Sequence, residues 1–231
     1  MSEFLRLGLN PQLQRACDVV GYSLPTPIQE KAIPLLLQGH DVLGIAQTGT
    51  GKTAAYALPI LMRCKYMQGS LPRALILAPT RELVMQIHEV MVGLAQFTDL
   101  RILALYGGLG PKTQIQTLEA GVDILVSTPG RFLELYRKEA IGTKDLKYLI
   151  LDEADKMMDM GFMPQIRQIL EKIPYKKRQN GLFSATFPVR SGSFERKSIN
   201  IEWLSVPPEI IENPRSISAL AKAAAFFFTC A

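Results

Sequence analysis

The sequence predicts an α/β fold, with a parallel sheet flanked by helices on both faces and an N-terminal helical extension in front of it. Three observations predict it. From Asp41 to Thr186, short apolar runs alternate with longer amphipathic stretches. The runs at 42–45, 74–78, 102–105, 124–127, 148–151 and 182–184 are nearly all apolar without period-2 alternation, as expected of strands covered on both faces. Strand–helix–strand repetition of this kind gives a parallel sheet with right-handed crossovers.

In the N-terminal extension, residues 1–40, Asn10-Pro11 and Thr26-Pro27 each place a capping side chain before a first-turn proline, and Gly39 ends the second helix. Residues 41–190 form the sheet lobe. There Thr80 caps a helix beginning at Arg81, and Pro129 sits where a first-turn proline is tolerated. The strand leading to Ser184 contains Asn180-Gly181, and glycine is expected to weaken a buried strand. After Arg190 the pattern changes. Ser191-Gly192-Ser193 is linker-like, Pro207-Pro208 and Pro214 break any long element, and residues 219–231 are an Ala/Phe stretch of low complexity. Residues 191–231 are therefore an atypical tail.

The 231 residues are 48% hydrophobic and 20% charged, an ordinary globular composition that excludes wholesale disorder. A net charge of +5 tolerates a polyanionic partner without requiring one. Cys17, Cys64 and Cys230 are far apart, odd in number and lack metal-ligand spacing, which argues against a disulfide framework or a zinc site. No secretory leader pattern opens the chain, and no apolar run approaches membrane-spanning length. A cytoplasmic monomer with no membrane partner is the expectation.

Two segments carry phosphate chemistry. Ala46-Gln47-Thr48-Gly49-Thr50-Gly51-Lys52-Thr53 follows a strand and opens a helix. Its glycines let successive N–H groups curl around phosphate oxygens, and the helix start adds a positive dipole end. Lys52 would reach the β/γ-phosphates, and the Thr53 hydroxyl would bind Mg²⁺. Ala46 stands where the strict P-loop pattern has glycine. The second segment, Asp152-Glu153-Ala154-Asp155, follows an apolar strand that delivers Asp152 at its carboxyl end, where open α/β sheets bind ligands. Asp152 can share the Mg²⁺ with Thr53, and Glu153 can polarise an attacking water.

Together these residues resemble the first lobe of the DEAD-box ATP-dependent RNA helicases, whose signature is Asp-Glu-Ala-Asp at 152–155. The other first-lobe motifs follow in the family's order. Residues 21–29 resemble the Q motif, with Phe4 as its isolated upstream aromatic, and 46–53 match the family's alanine-first P-loop. Pro79-Thr80-Arg81-Glu82-Leu83, Gly107-Gly108, Thr128-Pro129-Gly130-Arg131 and Ser184-Ala185-Thr186 match the rest. The resemblance spans about residues 4–190, and a bacterial, RhlE-like member is expected.

The resemblance implies a RecA-like lobe that uses ATP and Mg²⁺. Lys52, Asp152 and Glu153 would be catalytic, and residues 46–53 would hold the phosphates. Gln29 would address the adenine edge, with Phe4 or Tyr22 beside the base. Asp155 would hydrogen-bond with Ser184 and Thr186, linking the nucleotide site to the RNA face. Pro79, Thr80, Arg81, Gly107, Gly108, Thr128, Pro129, Gly130 and Arg131 would contact the RNA backbone independently of base sequence. Nothing after Arg190 resembles the second lobe, so the chain alone is expected to bind nucleotide yet be catalytically incomplete. A bare nucleotide-binding module and a different P-loop enzyme are the rival readings. The Q motif and the 79–83 and 128–131 motifs count against the latter.

Overall fold

The computed structural model describes residues 3–108, 110–174 and 178–185, and the backbone of 201–205. Seven parallel strands run in the order β3-β4-β2-β5-β6-β1-β7. In chain order they are β1 Asp41–Ile45, β2 Ala74–Leu77, β3 Ile102–Leu105, β4 Ile124–Ser127, β5 Tyr148–Leu151, β6 Gln179–Ser184 and β7 Ile201–Ser205. The helices are α1 Pro11–Val19, α2 Pro27–Gln38, α3 Lys52–Cys64, α4 Arg81–Ala95, α5 Pro111–Glu119, α6 Pro129–Arg137, α7 Ala154–Asp159 and α8 Met163–Lys172, after a 3₁₀ turn at Glu3–Leu7. None is long and apolar enough to cross a membrane. Six strands match the expected runs. β7 is additional: it lies in the tail and pairs in register along the whole of β1.

Alternation along each strand splits the core into two layers. Ala74 and Ile76 of β2 face α1–α4, packing with Phe4, Leu13, Ile28, Tyr56 and Ile87. Leu75 and Leu77 face the other way, among Phe132, Leu135, Met157 and Ile166 of α6–α8. Each such side chain, fully buried, contributes about 1.5–3 kcal/mol.

The expected helix signals hold at Asn10, Thr80 and Gly39. Asn10 Oδ1 accepts the Leu13 N–H at 2.9 Å, Thr80 Oγ1 accepts the Leu83 N–H at 3.2 Å, and Gly39 closes α2 at φ 93°.

Asn180-Gly181 lies inside β6, and the structure reverses the expectation of a weak point. A Cβ on Gly181 would stand 2.6 Å from Ile150 Cδ1, and one on Gly44 of β1 would stand 2.6 Å from the Phe183 ring. The two glycines make room for a large aromatic between packed strands. Asn180 is wholly buried yet satisfied, donating its N–H to Asp41 Oδ1 at 2.7 Å and its amide to Oδ2 at 3.1 Å.

At the amino edge of the sheet, buried Asp123 gathers the starts of β2, β3 and β4. It pairs with Arg73 at 2.7 Å and Arg101 at 2.9 Å, and accepts the N–H groups of Arg101 and Gln68. Burial alone would push its carboxyl up. The hydrogen bonds from Arg101, Gln68 and Arg73 outweigh that and hold it below the usual carboxylate range.

Candidate nucleotide and nucleic-acid edge

Because every strand is parallel, the five described strand-to-helix turns and the end of β6 open on one carboxyl edge. The strand order divides that edge. β1, β6 and β5 deliver Ala46–Thr53, Ser184-Ala185 and Asp152-Glu153. β2, β4 and β3 deliver Pro79–Arg81, Thr128–Arg131 and Gly107-Gly108.

In the first half, Gly49 and Gly51 take φ of 85° and 87°, a region that glycine enters freely. Gln47, Thr48 and Gly49 are exposed, Thr50, Gly51 and Thr53 half-buried. A Cβ on Gly51 would collide with the Gln29 amide. The buried Gln29 Nε2 donates to Gly51 O at 3.1 Å, and its Oε1 accepts the Thr26 N–H at 3.0 Å, half of a capping box. The other half is not closed, since Thr26 Oγ1 is buried without a partner.

Lys52 Nζ donates to Ala46 O at 2.6 Å. Burial pushes its pKa down, opposed by the nearby charges of Asp152, Asp155 and Glu153. Asp152, 2% exposed, accepts the Glu153 N–H on Oδ1 at 2.9 Å and the Tyr56 hydroxyl on Oδ2 at 2.7 Å. Burial raises its pKa, and the Tyr56 hydrogen bond and Lys52 offset part of that. Glu153 sits at φ 48°, ψ 50° as the N-cap of α7 and pairs with Lys156 at 2.9 Å. A left-handed non-glycine residue stores roughly 1–2 kcal/mol of strain, here at the signature acid itself.

These groups fit Mg²⁺. Among the described residues no cluster of three or more His, Cys, Asp or Glu could hold a metal. One carboxylate and one hydroxyl beside a phosphate cradle is a donor set that suits Mg²⁺, which keeps several waters and takes the rest of its shell from phosphate. Asp152 and Thr53 supply that set.

Asp155 Oδ2 accepts the Ala185 N–H at 3.2 Å, so it reaches the residue after β6 through the backbone. Ser184 is fully buried at the end of β6, and Thr186 lies outside the described residues.

In the second half, the Arg81 guanidinium lies 4.8 Å over the Tyr106 ring, and Gly108 faces Arg81 Nη1. The 79–81 and 107–108 motifs thus meet, with Gly107, Gly108 and Arg81 exposed, Thr80 half-buried and Pro79 buried. Thr128 caps α6, Pro129 is buried at its first turn, and Gly130 is exposed.

Two further expected contacts face inward. Arg131 is 6% exposed and donates to Gln114 Oε1 at 2.9 Å and Glu134 Oε2 at 2.7 Å, tying α6 to α5. Phe4 is fully buried in the core, 6.4 Å from the Tyr22 ring, which leaves half-buried Tyr22 as the aromatic with surface to offer a base. Tyr56 was not among the expected site residues. A tyrosine in the apolar run Ala54-Ala55-Tyr56-Ala57-Leu58 was the available signal, because a buried hydroxyl needs a partner.

Comparison with known proteins gives one consistent family. The model described as DEAD/DEAH box helicase matches residues 26–192. "DEAD-box ATP-dependent RNA helicase 28" of Oryza sativa subsp. japonica is 45% identical over 202 residues, covering 86% of this chain and 25% of that protein. "ATP-dependent RNA helicase dbp10" of Schizosaccharomyces pombe is 45% identical over 188 residues, covering 81% and 22%. A crystal structure of a DEAD box protein from the hyperthermophile Methanococcus jannaschii superposes with a TM-score of 0.78 at 35% identity, covering 87% of this chain and 55% of that one. The chain thus spans about a quarter of the length of these two curated relatives.

Proposed function

Since the chain belongs to the DEAD/DEAH box helicase family, we propose that it is the ATP-binding lobe of an ATP-dependent RNA helicase, in which ATP hydrolysis drives local separation of RNA duplexes. The division of the carboxyl edge carries this reading. Phosphate-binding groups cluster at the ends of β1, β5 and β6, and exposed backbone and Arg81 cluster at the ends of β2, β3 and β4.

Gln29 and Tyr22 select adenine. Residues 46–53 wrap the phosphates, and Lys52 leaves Ala46 O to meet the β- and γ-oxygens. Thr53 and Asp152 would hold Mg²⁺, which would supply charge neutralisation on the phosphates when bound. Glu153 orients and deprotonates the attacking water. Asp155 passes the state of this site through Ala185 toward the RNA half. RNA is held by its backbone through Thr80, Arg81, Gly107, Gly108, Thr128 and Gly130, without base readout and with strong salt dependence.

Phosphoryl transfer is mostly positioning and charge stabilisation, and an arginine finger alone contributes about 10³–10⁵ in rate. In this reading such arginines belong to a second lobe. The 231-residue chain by itself therefore binds adenine nucleotide but shows almost no RNA-stimulated hydrolysis. Steady-state phosphate release with and without single-stranded RNA is the measurement. Robust RNA-stimulated turnover by the monomer would overturn the two-lobe requirement, and failure to bind adenine nucleotide would overturn the lobe assignment.

A further inference from the structure

Resting on the assignment of Thr53 and Asp152 as the Mg²⁺ ligands, we propose that the Tyr56 hydroxyl is a positioning group that fixes the Asp152 carboxylate against the helix carrying Thr53 before the ion arrives. Tyr56 lies one turn beyond Thr53 on α3 and is fully buried. Its hydroxyl donates to Asp152 Oδ2 at 2.7 Å across 96 residues of sequence. A hydroxyl on the helix that carries one ligand therefore holds the other.

The donor count makes the arrangement directional. A tyrosine hydroxyl has one proton and two lone pairs. Its single proton goes to Asp152 Oδ2, which holds that carboxylate oxygen in place. Asp152 is fixed from the other side by the Glu153 N–H on Oδ1. The ring itself cannot swing, because it packs 5.1 Å from the Phe183 ring, which in turn fills the space above Gly44. The signature acid and β6 are thus both held at one tyrosine on the helix that follows the phosphate loop. Neighbours that orient metal ligands in this way commonly change metal affinity when removed.

Tyr56→Phe removes the hydroxyl and keeps the packing, and Tyr56→Leu removes both. Binding of a fluorescent ADP analogue to the whole chain is followed in EDTA and during titration with Mg²⁺. The expected result is that Tyr56→Phe raises the Mg²⁺ requirement by about 10-fold or more. Its affinity in EDTA should stay at the unmutated value. Tyr56→Leu should show at least the same Mg²⁺ shift and also melt at a lower temperature. A Tyr56→Phe variant with the unmutated Mg²⁺ midpoint overturns the proposal, and if only Tyr56→Leu is impaired the role is packing. Asp152→Asn and Thr53→Ala separate this failure from a deeper one. If they shift the midpoint and Tyr56→Phe does not, only the positioning role falls. If they too leave it unmoved, or Mg²⁺ does not affect binding to the unmutated chain, the metal-site assignment falls and the proposal with it.

Discussion

The Gln29 side chain holds the P-loop from outside, its Nε2 donating to Gly51 O at 3.1 Å while its Oε1 accepts the Thr26 N–H. An amide has two protons and two lone pairs on its oxygen, so this clamp leaves one donor and one acceptor for a ligand. Adenine offers a complementary acceptor and donor at N7 and N6, whereas guanine offers two acceptors at N7 and O6.

Gln29→Ala should therefore abolish the preference for ADP over GDP. It should also destabilise the free chain by about 0.5–1.5 kcal/mol through the lost hydrogen bonds. Titration calorimetry with the two nucleotides checks the first effect and urea unfolding the second. Equal affinities for ADP and GDP in the unmutated chain would remove Gln29 as the selector.

Asp123→Asn should be among the costliest polar substitutions in the lobe. It leaves the buried Arg73 and the partly buried Arg101 without their carboxylate, a loss of about 3–5 kcal/mol at neutral pH. The pH dependence follows from the depressed folded-state pKa. The stabilisation is complete above the unfolded value of 3.8 and is lost as pH falls through the lower folded value. Urea midpoints for both chains should be far apart at pH 7 and converge in acid. A constant gap down to acid pH would show that the carboxylate charge is not what stabilises this cluster.

Gly44→Ala and Gly181→Ala test the packing around Phe183. Each inserts a methyl group 2.6 Å from side-chain carbon, and overpacking of this kind costs about 1–3 kcal/mol. Both variants should melt several degrees lower, and pairing Gly44→Ala with Phe183→Leu should recover part of the loss. A Gly44→Ala chain as stable as the unmutated one would mean that the ring moves aside freely.

How far the sequence could be read depended on the range of the interaction. Strand runs, caps and the Gly-Lys-Thr turn are local, so six strands and the two phosphate segments were legible from spacing alone. Pairings between distant segments were not. Whether Arg131 faces solvent or turns inward is decided by Gln114 on another helix and Glu134 one turn along. Phe4 is an isolated aromatic in the sequence, but α1 and α2 close over it. Gly181 looks like a defect until Ile150 and Phe183 stand beside it. β7 had no readable signal because its partner, β1, lies some 160 residues earlier and the intervening composition reads as linker.

That seventh strand changes the status of β1. With β6 on one side and β7 on the other, the strand that feeds the P-loop is an interior strand, and its outward row of N–H and C=O groups is occupied. Ending the chain at Arg190 would uncover that row over Asp41–Ile45, a largely apolar template for another copy of the same strand. The five residues at 201–205 therefore act as a guard against self-association. Their removal should first reduce solubility, while the phosphate groups at the carboxyl edge keep their places.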